Sequence, residues 1–109
     1  MDCSCRLAPP WRAESRCPDT HAGAHLAGAS LFDGPPSEHA DLVPDRIHQG
    51  RRGVLTSEWD VAAMPRAGRQ IYLECRYGSG APTIVSTLTT ERACTLVSRR
   101  TGPTTLVCK

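Results

Sequence analysis

Two groupings of side chains in this 109-residue sequence have the types and spacing to do chemistry. Near the start, Cys3 and Cys5 are followed by Cys17, His21 and His25, five thiolate or imidazole ligands in one stretch. Tetrahedral zinc takes four such ligands. The Cys-x-Cys step is tight and the His spacing loose for that geometry, so the plainer reading is a tail with incidental histidines. Further on, Asp33, Glu38, His39, Asp41 and Asp45 gather around a proline-rich turn. An imidazole beside carboxylates can serve as a general base. A short helix carries the same residue types on its wet face, and that simpler reading is preferred. The sequence holds no GxSxG, HExxH or phosphate-binding glycine loop. Gly78-Ser79-Gly80 has the flanks of a hairpin turn, which gives Ser79 no positional support as a nucleophile. No catalytic residue, metal site or cofactor is therefore assigned. A small hydrolase or metal-binding protein, using the acidic helix or the Cys/His cluster, is kept as the alternative reading.

The elements that would position these residues are mostly strands. Nine Pro and nine Gly argue for many turns and against long helices. The stretch 24–33 (AHLAGASLFD) reads as a strand with Leu26, Gly28, Ser30 and Phe32 on one face and Ala27, Ala29 and Leu31 on the other. Residues 35–43 (PPSEHADLV) predict a short helix, started by proline and stopped before Pro44, with Leu42 and Val43 packed inward. Residues 45–53 predict a polar loop, and 54–61 a strand with Leu55, Ser57 and Trp59 on one side. The clearest alternation runs from 70 to 77: Ile71, Leu73, Cys75 and Tyr77 share one face, Tyr72, Glu74 and Arg76 the other. With strands at 83–89, 93–98 and 104–108, the last forty residues predict a four-stranded antiparallel meander. The fold class is mainly β, bordering on α+β: an antiparallel meander of about five to six strands with one short helix, stapled by disulfides. A single β-rich domain would span 17–109, after an irregular tail at 1–16.

Composition narrows the function classes. A net charge of +2 argues against a dedicated nucleic-acid binder. The pairs Arg51-Arg52 and Arg99-Arg100 read as solvated turn residues. No segment approaches transmembrane length, so no membrane span is expected. An aromatic content of 5% makes the core thin, so covalent staples matter. Six cysteines in so short a chain, with no CxxC, point to disulfides and an oxidising compartment. Residues 1–16 lack the charged-then-apolar pattern of an export signal. The expectation is either a cytoplasmic chain or a start that differs from that of an exported precursor, and the second fits the cysteines better. A hairpin turn centred on Thr101 would set Cys94 opposite Cys108, within bridging reach. Cys75 would then take Cys17. Cys17–Cys108 with Cys75–Cys94 is the rival pairing. Cys3 and Cys5 are left over.

LFDGPP at 31–36, an acidic stretch, and Leu42-Val43-Pro44-Asp45 together carry a resemblance. So do Cys17-Pro18, Trp59, Tyr72-Leu73-Glu74-Cys75-Arg76-Tyr77, Arg92-Ala93-Cys94 and Cys108. Over residues 17–109 the chain resembles a family of small exported proteobacterial proteins with an FDGPP motif and a Tyr-x-x-Cys-x-Tyr strand. The resemblance implies a periplasmic or secreted location and four structural cysteines, and no activity. The Tyr-x-x-Cys strand followed by Gly-Ser-Gly-Ala is also loosely similar to small β-barrel lysozyme inhibitors of the periplasm. That likeness implies that Ser79, Gly80 and Ala81 form an exposed loop touching a partner. Tyr72 and Arg76, residue types common among interface anchors, would lie on the outer strand face beside it. The leading reading is a non-enzymatic, inhibitor-like module that binds another envelope protein. Nucleic acid is not among its expected partners, and its oligomeric state stays open.

Overall fold

The strand with the clearest alternation lies in the middle of a sheet, with one face wholly buried. In the computed structural model, which describes residues 15–63 and 70–109, Ile71, Leu73, Cys75 and Tyr77 are buried while Arg76 between them is exposed. Nine strands are described: β1 (Ser15–Arg16), β2 (Thr20–His21), β3 (Ala24–Asp33), β4 (Arg46–Gln49), β5 (Leu55–Asp60), β6 (Ile71–Tyr77), β7 (Ile84–Leu88), β8 (Ala93–Ser98) and β9 (Thr105–Cys108). They form a five-stranded sheet in the order β1-β9-β8-β5-β4 and a four-stranded sheet in the order β2-β3-β6-β7. All pairings are antiparallel. The fold is thus mainly β, with two disulfides and no α-helix among the described residues.

The two sheets share one apolar core. Leu31, Leu73 and Leu88 come from the four-stranded sheet and Leu106 from the five-stranded one, all fully buried, with Trp59 4% exposed. Each such leucine contributes about 1.5–3 kcal/mol by leaving water. The Cys17–Cys75 bridge joins the two sheets at a Cα separation of 5.7 Å. Cys94–Cys108 lies within the five-stranded sheet, with Cα atoms 4.0 Å apart. That closeness follows from the ladder. Ala93 and Lys109 exchange both backbone hydrogen bonds, so the next pair, Cys94 and Cys108, takes the narrow, non-hydrogen-bonded position.

Several expectations about local structure are corrected. The last four strands do not form one meander: β6 and β7 pair in one sheet, β8 and β9 in the other. The chain crosses between sheets at 89–92, where the Glu91 carboxylate accepts the Thr89 and Thr90 amides at 2.8 and 3.1 Å. β8 then pairs with β5 instead of β7. The helix expected at 35–43 is only a single 3-10 turn, Pro36–Glu38. His39 takes a left-handed conformation (φ 59°), and the next residues pair back to β3. Asp33 donates to Ala40 at 3.0 Å and Leu42 to Leu31 at 2.8 Å, which removes the backbone groups a helix would need. Leu42 is half-buried against the core, but Val43 is 79% exposed. The polar loop expected at 45–53 contains β4, which pairs with β5. In β3 a bulge between Leu26 and Gly28 shifts the phase, so Leu26 joins Ala29 and Leu31 in the core instead of following Gly28 outward.

Candidate protein-binding surface

Four turns meet at one end of the molecule. Ala22 and Gly23 join β2 to β3, with φ of 52° and 78°. Positive φ at both central residues is the type I′ geometry, whose twist matches that of the flanking strands. Ser79 and Gly80 (φ 59° and 71°) repeat it between β6 and β7, closed by the Ala81 amide donating to the Gly78 carbonyl at 3.1 Å. The Gly78 amide donates to the His25 carbonyl at 3.3 Å, which ties these two turns together. His25 and Leu26 line a shallow hollow with Gly102, Pro103 and Thr104, so the β8–β9 turn is the third member. The β4–β5 turn is the fourth, because Leu55 pairs with Ser98 at the adjoining ends of β5 and β8. Ser79 and Gly80 are exposed at the tip of their hairpin. They have the geometry of a plain turn, and their exposure leaves them open to contact.

Arg76 approaches this end along the outer face of β6. Its Nη1 donates to Ser30 Oγ at 2.7 Å and to Glu74 Oε1 at 3.1 Å. The guanidinium lies over Gly28, where a Cβ would sit 3.2 Å from Nη2. The glycine leaves room for this close approach: a Cβ there would press on Nη2 and shift the guanidinium tip by a few tenths of an ångström. The sequence separation between Gly28 and Arg76 hides this, and only the β3–β6 register reveals it. Tyr72 is half-exposed on the same face, paired with Thr87 of the edge strand β7. Arg76 and Tyr72 thus share one face, and Arg76 leads from it to the Ser79–Gly80 tip.

The other candidate groups are not assembled into a reactive centre. Cys17 is bonded to Cys75, so it offers no thiolate to a metal, and Cys3 and Cys5 lie outside the described residues. Among the described residues no cluster of His, Cys, Asp or Glu could hold a metal ion. Asp33, Glu38, His39, Asp41 and Asp45 are spread along residues 33–45 at the opposite end. Asp45 Oδ2 is used structurally, accepting the Asp60 amide at 2.6 Å. The buried carboxylate belongs to Glu91, 5% exposed, in the link between the strands expected at 83–89 and 93–98. Burial raises its pKa, but the Ser15 hydroxyl and the Thr89 and Thr90 amides outweigh that and hold it below the ordinary carboxylate value.

No curated protein and no solved structure matches the chain. A sequence model of the Type VI secretion system Tli immunity protein family does match, over residues 19–109. That span starts at Asp19, just before β2, and runs through β9, so it takes in all four turns, Arg76 and Tyr72. The chain belongs to the Type VI secretion system Tli immunity protein family.

Proposed function

We propose that this protein is an immunity module that binds its cognate type VI lipase effector and blocks it in the periplasm, without chemistry of its own. The family match over residues 19–109 carries this reading. The two disulfides support an oxidising compartment. Among the described residues no helix is long and apolar enough to cross a membrane.

The contact surface in this reading is the outer face of β6 with the hairpin that follows it. Tyr72 supplies a half-exposed ring, Arg76 a guanidinium already seated on Gly28, and Ser79 and Gly80 a projecting turn. An arginine held in place before binding loses less freedom on association. The test is lipase activity of the purified effector titrated with this protein. Wild type should abolish activity near one equivalent. Arg76→Ala and Tyr72→Ala should each weaken binding by about tenfold or more, as interface anchors do. Gly28→Ala should weaken binding in the same direction but less than Arg76→Ala, because it only nudges the guanidinium. Full inhibition by all three variants would remove this face from the interface.

A further inference from the structure

We propose that the two arginine-bearing turns of the five-stranded sheet extend the binding surface and dock on an acidic patch of the effector protein. This rests on the immunity reading above and assigns part of its interface. Arg51 and Arg52 occupy the turn between β4 and β5. Arg99 and Arg100 open the turn between β8 and β9. The pairing of Leu55 with Ser98 brings these turns side by side, although the sequence holds them far apart. All four side chains are exposed.

Two of the four are held by the fold. Arg99 Nη1 donates to the Pro103 carbonyl at 2.8 Å. Arg100 lies against Gly53, where a Cβ would sit 3.2 Å from its Nε and the φ of +73° suits glycine. The arrangement repeats that of Arg76 on Gly28: in both sheets an exposed arginine is seated over a glycine. Residues 46–57 and 92–109 contain no Asp or Glu. The nearby carboxylates, Asp19 just ahead of β2 and Glu74 paired with Arg76 on β6, belong to the other sheet. Asp33, Glu38, Asp41, Asp45, Asp60 and Glu91 lie towards the opposite end. With 13 basic and 11 acidic residues in all, the chain's positive excess is smaller than this one patch. Four exposed guanidiniums on two neighbouring turns make a local positive field, and such a field steers association with a partner of opposite sign. Guanidinium forks pair bidentately with carboxylates and phosphates alike, and the immunity reading above supplies a protein surface as the partner.

The test follows association of a catalytically inactive form of the lipase effector with wild type and with R51E/R52E/R99E/R100E. At about 25 mM salt, where screening is weak, the variant should associate at least about tenfold more slowly. The gap should close at about 500 mM salt, where the Debye length falls to a few ångström. R51E/R52E leaves the Arg99 and Arg100 contacts intact and should show a smaller change of the same sign. Equal rates and equal salt slopes for wild type and R51E/R52E would overturn the proposal. So would binding of wild type to phosphatidylglycerol–phosphatidylethanolamine vesicles that the quadruple variant loses while keeping normal effector association. A wild-type chain that does not bind the effector at all would overturn the immunity reading, and this proposal with it.

Discussion

At one end of the molecule a buried carboxylate and a buried indole hold chain segments in place; at the other, short turns carry exposed side chains. At the first end Glu91 accepts from Ser15 Oγ and from the Thr89 and Thr90 amides. Nearby, Trp59 Nε1 donates to the Leu42 carbonyl at 2.9 Å, which pins the segment after the Gly34-Pro35-Pro36 turn. Cys94–Cys108 closes the last hairpin there. At the second end, Ser79, Gly80, Arg51, Arg52, Arg99 and Arg100 are all exposed. The contrast separates two jobs. Buried polar contacts are costly to leave unpaired and specify the fold. Exposed turns tolerate change and leave their side chains open to a partner.

Substitutions can break or sharpen that comparison. The largest stability effect should come from the bridge between the sheets. It closes the longer loop, 58 residues against 14, so C17S/C75S should lose about 4 kcal/mol and C94S/C108S about 3 kcal/mol in urea denaturation. Glu91→Gln should come next, at about 1–3 kcal/mol, because it weakens a buried acceptor shared by the Ser15 hydroxyl and the Thr89 and Thr90 amides. Its pH signature has a definite sign. The folded pKa lies below the unfolded one, so the unfolded chain binds more protons in the window between them. Stability from Glu91 is present above the ordinary carboxylate pKa of about 4.3 and is lost as pH falls through the lower folded value. E91Q should therefore flatten the acid limb of a stability–pH profile, and an unchanged limb would contradict the assignment. The smallest effects belong to the turns: R51E/R52E and S79G should shift stability by less than about 0.5 kcal/mol. Turn variants as destabilising as E91Q would erase the distinction between the two ends.

Strand faces were readable where alternation was strict. Ile71, Leu73, Cys75 and Tyr77 face the core as their spacing demands, and so do Ser57 and Trp59. The turn at 101–103 was enough to set the register that places Cys94 opposite Cys108. Sheet membership was not readable, because β7 and β8 look like consecutive hairpin partners. The crossing depends on Glu91 capping its own turn, a side-chain choice that periodicity does not record. The helix at 35–43 failed for a related reason. Proline favours the first turn, but pairing of 40–42 back to β3 outcompetes any continuation. The Ser79–Gly80 turn was visible as glycine and serine. The seats of Arg76 and Arg100 were not, since each joins a glycine to an arginine about 47 residues away in sequence and depends wholly on strand register.

The most direct test of the account is effector inhibition measured in parallel for variants at the two ends. Lipase activity would be titrated with wild type, with R76A combined with R51E/R52E, and with W59F as the opposite-end control. The account predicts full inhibition by wild type, and by W59F wherever it remains folded. It predicts inhibition weakened by more than about tenfold in the hairpin-end variant, with that variant's thermal midpoint unchanged. Full inhibition by a folded hairpin-end variant would contradict it.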